Sequence, residues 1–140
     1  MNRQPPDTDA AAVRSDRLVL PALVFVGGAA GTTARALLSE RFPMRADGWP
    51  WTTFVINVLG ALLLGLLLGV LAHLGDDSGA RRRVRLGLGT GLLGGFTTYS
   101  AFAVEVVERD LGAGLAYATA SVVAGVLAAG IGLRLPGMNR

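Results

Sequence analysis

Four stretches of this chain are long and apolar enough to cross a bilayer, which takes about 20 residues. The first runs roughly from Leu18 to Ser39, "LVLPALVFVGGAAGTTARALLS". The second is Trp51 to Leu74, "WTTFVINVLGALLLGLLLGVLAHL". The third covers roughly Val84 to Glu108 and carries no charge between Leu86 and Val104. The fourth, roughly Leu111 to Leu135, is uncharged from Leu111 to Leu133. Short polar connections separate them: "ERFPMRADGWP", "GDDSGARRR" and "ERD". Neighbouring spans are therefore expected to be antiparallel hairpins with no room for an outside domain. Trp49 and Trp51 sit where an interfacial aromatic belt is expected. Residues 1–17 are polar and contain two prolines, so they read as a disordered N-terminal tail ahead of a four-helix channel domain over 18–135. No small-residue cleavage site followed by a soluble domain marks the first run as a signal peptide.

Composition agrees with lipid as the solvent. Hydrophobic residues make up 51% of the chain, and mean hydropathy is +0.50. There is no cysteine, which excludes disulfides and thiolate metal sites, and the single histidine, His73, excludes a His-rich one. All 13 basic residues are arginine. They cluster at segment ends and form no basic stripe, so they report topology and not nucleic-acid binding. The tail, the "GDDSGARRR" loop and the C-terminus carry nine: Arg3, Arg14, Arg17, Arg81, Arg82, Arg83, Arg85, Arg134 and Arg140. The opposite side carries three, Arg41, Arg45 and Arg109, while Arg35 lies within a span. Nine against three places both termini in the cytoplasm.

The polar residues kept inside the apolar runs are the candidates for chemistry. In the first run, Gly27, Gly31 and Arg35 form one stripe, with the glycines reading as close helix packing. Arg35 either snorkels from the helix end or lines a vestibule that attracts anions. Asn57 stands alone in the second run, where it either glues helices by hydrogen bonding or lines a polar path. Ala61, Gly65 and Gly69 repeat small residues every fourth position, a packing pattern. In the fourth run, Tyr117, Ser121 and Gly125 share a stripe, and two hydroxyls one turn apart make a short donor track. The third run is the unusual one. "GLGTGLLGGFTTYSAF" holds five glycines between Gly87 and Gly95, followed by hydroxyl residues that compete for backbone bonds. This predicts a broken helix, which a bilayer tolerates only where the freed groups find partners. Unwound carbonyls can hold a cation. Tyr99 and Phe102, three residues apart, share a face and offer electropositive ring edges. Thr98, Ser100, Asn57 and Tyr117 add O–H and N–H donors. Together these are groups that can replace water around a small anion.

"GGAAGTTAR", "VINVLGALLLG" and "GLLGGFTTYSAF" resemble the three motifs of the Fluc/CrcB fluoride channels, GGxxGAxxR, xVNxxGxFxxG and GxxGGxTTFSTF. The likeness covers all four runs in order. It implies an all-α membrane protein of four transmembrane helices with a broken third helix, working as an antiparallel, dual-topology dimer with two pores. It implies a fluoride-selective channel in the plasma membrane that exports cytoplasmic fluoride and reduces its toxicity, not an enzyme. It also implies a structural sodium ion at the dimer centre, held by backbone carbonyls matching Gly94 and Thr97. The anion path matches Asn57, Thr98, Tyr99, Ser100, Phe102, Tyr117 and Ser121, and the vestibule arginine matches Arg35. The chain departs from the motif at two positions. Tyr99 stands where Phe is usual, keeping a ring edge and adding a hydroxyl. Ala101 stands where Thr or Ser is usual, removing one donor.

Two other readings belong beside this one. The arginine bias favours one orientation, so the chain is alternatively one subunit of a heterodimeric channel, inactive until joined by an oppositely oriented paralogue. A proton-coupled transporter of the small multidrug type also has four short helices, but wants a carboxylate in mid-membrane. Glu105 and Glu108 lie near the end of the third run.

Overall fold

The computed structural model describes residues 8–43 and 48–137, with side chains from residue 17 onward. The described residues form helices joined by short loops. Helix α1 spans Thr8–Arg41 and α2 spans Trp51–His73. A short α3, Gly79–Val84, continues into a π-helical stretch, Arg85–Leu93, and a single turn α4, Gly94–Phe96. After two extended residues, α5 runs Tyr99–Val107, and α6 follows at Leu111–Arg134. Three helical segments are each long and apolar enough to cross a membrane, Arg17–Arg41, Trp51–His73 and Leu111–Gly137. The third apolar run, expected as a broken helix, is the discontinuous series from α3 to α5. Helix α1 begins at Thr8, so it takes in much of the segment expected as a tail, while residues 1–7 of that segment lie outside the described residues.

The position of the break differs from the one the glycines suggest. Gly87, Gly89 and Gly91 remain in a wound helix, of the wider π form that is frequent at functional sites. The chain opens only at Thr97 (φ −76°, ψ 159°) and Thr98 (φ −144°, ψ 123°). The glycines instead permit close approach. A Cβ at Gly91 would sit 2.8 Å from the Val24 carbonyl oxygen of α1. A Cβ at Gly27 or Gly31 of α1 would collide outright with the carbonyls of Gly87 and Leu92. Small residues from both sides thus let the two backbones touch, which is how helices associate where lipid removes the hydrophobic drive.

The second pair, α2 on α6, is built the same way. Gly69 leaves 2.6 Å between a notional Cβ and the Leu133 carbonyl, and Gly65 and Gly132 face the carbonyls of Ala129 and Leu62. Two glycine-seamed pairs, α1 with the third run and α2 with α6, make up most of the molecule. Large side chains point outward: Phe25, Val26, Leu115, Val126 and Leu127 are all exposed. The most enclosed are Ile56, Leu93, Ala128 and Tyr117. This arrangement, small and polar within and branched apolar without, suits a surface wetted by lipid or by another helix.

Candidate functional site

The break is held open by a side chain 41 residues away. Asn57 of α2 donates from Nδ2 to the Thr98 carbonyl (2.9 Å) and accepts the Thr98 N–H at Oδ1 (2.8 Å). An amide side chain thus takes the place of a backbone neighbour for Thr98. The consequence falls four residues upstream. In a continuous helix the Thr98 N–H would bond the Gly94 carbonyl, and here it is diverted. The same happens at the next step. The Ala101 N–H, which would bond the Thr97 carbonyl, goes to Thr98 Oγ1 (3.2 Å), the N-cap of α5. Gly94 and Thr97 therefore both lose their helical donors. Thr97 itself is anchored, with its N–H and Oγ1 each 3.0 Å from the Leu93 carbonyl.

Between these two carbonyls lies a third with different partners. The Gly95 carbonyl accepts from Arg35 Nε (3.3 Å) and Thr32 Oγ1 (3.4 Å), both on α1. Arg35 is half-buried and serves the break from the α1 side.

A groove of about 670 Å³ runs along the opposite side of the break. Asn57, Gly94, Thr97, Thr98, Tyr99, Phe102 and Ser121 all line it, so most of the residues singled out from sequence share one surface. Its lining includes no carboxylate, and its one charged residue, Arg85, is paired with Asp77 at 2.7 Å. That hydrogen bond holds the exposed Asp77 carboxyl below its ordinary range. Asn57 retains one amide hydrogen beyond its bond to Thr98. Ser121 lines the groove, but its Oγ is buried beneath the surface with no close hydrogen-bond partner among the described residues. Tyr99 is 80% exposed, and its ring tilts against Phe102 at 5.9 Å between centroids.

Ser100 and Tyr117 fall outside this groove lining. Ser100 Oγ is exposed, 3.3 Å from Thr98 Oγ1. Tyr117 is completely buried, its ring 5.5 Å from Phe102 and edge-on to Trp49 at 5.3 Å. Its hydroxyl donates to Glu105 Oε2 (2.7 Å), while Thr53 Oγ1 donates to Glu105 Oε1 (2.5 Å). Arg109 donates to the Glu105 carbonyl and to that of Gly48, and its guanidinium lies 5.5 Å over the Tyr117 ring. Glu105 is thus the centre of an internal network, a role its place near a helix end conceals. The usable signal was spacing: Glu105 follows Phe102 by three residues, on the face that turns toward Tyr117.

This is an integral membrane protein of the class that builds an ion or solute path around a discontinuous helix. Residues 22–133 match the family described as CrcB-like protein, Camphor Resistance (CrcB), and the chain belongs to it. It is 52% identical over 117 residues to "Fluoride-specific ion channel FluC 1" of Cutibacterium acnes, covering 81% of this chain and 82% of that one. It is 56% identical over 117 residues to "Fluoride-specific ion channel FluC 2" of Leifsonia xyli subsp. xyli, covering 79% and 80%. The "Fluoride-specific ion channel FluC" of Phenylobacterium zucineum is 46% identical over 118 residues, covering 81% and 91%.

Proposed function

We propose that this chain is a subunit of a fluoride-selective channel that lets fluoride leave the cytoplasm. The observation that carries the reading is the groove at the break. Its polar lining offers an amide hydrogen of Asn57, the hydroxyl of Thr98 and the ring edges of Tyr99 and Phe102, with Ser121 in the wall and without an acid. Fluoride is small and strongly hydrated, so a path must supply several close donors in place of water. The named activity of the relatives agrees. The groove is open along its length, which suits completion by a second, oppositely inserted copy. Such a dimer has two equivalent paths, and the third run then serves as a fourth, interrupted crossing.

The freed carbonyls of Gly94 and Thr97 fit a hard monovalent cation. Gly94 is exposed, and no cluster of acidic or histidine side chains able to hold a metal occurs among the described residues. Sodium would be held by these two carbonyls and the same pair from the second copy, supplying charge that draws two antiparallel chains together. Glu105 is committed to Thr53 and Tyr117 and stands outside the groove lining, which argues against proton-coupled exchange. One observation favours a second form of the channel. The nine-to-three arginine bias opposes dual insertion, and a paralogue with the reverse bias would complete the pair.

The test is efflux from liposomes containing the purified chain. Fluoride release with chloride retained is expected. Chloride flux near the fluoride rate would overturn selectivity.

A further inference from the structure

A second cavity, of about 760 Å³, lies between α1 and the start of the third run and shares no residue with the groove at the break. Its walls are apolar, with Leu20, Pro21, Val24 and Phe25 on α1 and Leu86 across from them. Its two charged residues, Arg17 and Arg82, come from different helices. Neither guanidinium makes a hydrogen bond or ion pair with another described residue; Arg82 acts on Asp77 only through its charge. Arg17 is the charged residue directly ahead of the apolar run that opens at Leu18, which puts it at the edge of the hydrocarbon. Val24 and Phe25 follow about two turns deeper, roughly 10–12 Å along the axis. Pro21 lacks an N–H, which leaves the Arg17 carbonyl without its helical donor at the same level.

We propose that this cavity binds one anionic phospholipid, its phosphate between Arg17 and Arg82 and an acyl chain along the apolar walls. A free phosphate would satisfy the arginines and leave the walls bare. A zwitterionic lipid would fill the walls but bring a cation to the two guanidiniums. Only an anionic lipid answers both halves, and a headgroup hydroxyl can donate to the spare Arg17 carbonyl.

The experiment is native mass spectrometry of the delipidated, purified chain titrated with phosphatidylglycerol and with phosphatidylcholine of the same acyl chains. Preferential retention of phosphatidylglycerol is expected. A surface arginine is worth about fivefold toward anionic lipid, so R17Q/R82Q should lose roughly 30-fold of that preference. R134Q, which removes a charge from the same end of the molecule, should keep it. Equal loss in R134Q would mean diffuse surface charge and would overturn the site. Competition by glycerol 3-phosphate as effective as by the lipid would overturn the lipid as occupant. The chain has no cysteine, so F25C is a clean probe. Efficient cross-linking between two copies through it would show a protein contact covering the cavity and would also overturn the proposal. None of these readouts depends on fluoride conduction.

Discussion

Asn57 is the residue on which the site depends most. From another helix, its amide hydrogen-bonds both the backbone N–H and the backbone carbonyl of Thr98. In Asn57→Asp a carboxylate oxygen would face the Thr98 carbonyl, losing one bond and setting two acceptors against each other. Leaving a buried acceptor unpaired costs about 1–3 kcal/mol. The expected outcome is a lower melting temperature together with loss of fluoride efflux. Unchanged efflux would separate the clamp from conduction. Phe102 tests the aromatic part alone. Phe102→Ile keeps apolar volume and removes a ring edge worth about 1 kcal/mol, so flux should fall roughly fivefold while the elution volume stays that of the unsubstituted protein. At this scale the sequence was only partly legible. The pattern marked Asn57 as a polar intruder but left open glue or path, because its partner is 41 positions away and no local rule connects them. Glu105 was passed over for the same reason: a carboxylate near a helix end looks solvated until Thr53 and Tyr117 are brought to it.

Among the helices, the glycines divide into two kinds that a sequence does not distinguish. Gly31 is buried, and a Cβ there would overlap the Leu92 carbonyl. Gly31→Ala should therefore push α1 off the third run and reduce the yield of folded protein. Gly94 is different. A Cβ there would meet only the Gly89 carbonyl, at 3.9 Å, and its backbone is ordinary helix (φ −65°, ψ −37°). Gly94→Val should leave the single chain folded and act on the proposed contact with a second copy. The expected result is a shift from dimer to monomer on size exclusion, with helical circular dichroism retained. If both variants gave the same aggregated product, the distinction would fail. The boundaries of α2 and α6 were legible because lipid demands long uninterrupted stretches, whereas α1 begins at Thr8, ahead of its apolar run. The site of the break was not. Glycine content pointed to Gly87–Gly95, yet flexible residues stay helical when neighbours press on them, and the opening falls where Asn57 and the Thr98 hydroxyl capture the N–H groups.

For the whole molecule, the arginine count and the open groove both bear on assembly. Nine arginines on one side against three on the other favour a single orientation. A C-terminal tag mapped in cells expressing this chain alone should therefore lie mainly on the cytoplasmic side. Equal populations on both sides, with full fluoride flux from the single chain, would remove the need for a paralogue. The proposed sodium ion would be structural, because the break supplies carbonyls and no acid. An inward sodium gradient is accordingly expected to leave fluoride at electrochemical equilibrium in sealed vesicles, and uphill fluoride movement would refute that role.

The diversion of two N–H groups at the break is made entirely within one chain, by Asn57 and Thr98. Nothing about it depends on loop charge, on the arginines or on which way the chain was inserted. After a gene duplication, the loops of two descendants can drift toward opposite charge bias while each still presents the same pair of bare carbonyls at its middle. In the proposed assembly, copies that have lost the ability to insert both ways would still pair, with the Asn–Thr clamp as the inherited part and orientation as the part free to diverge.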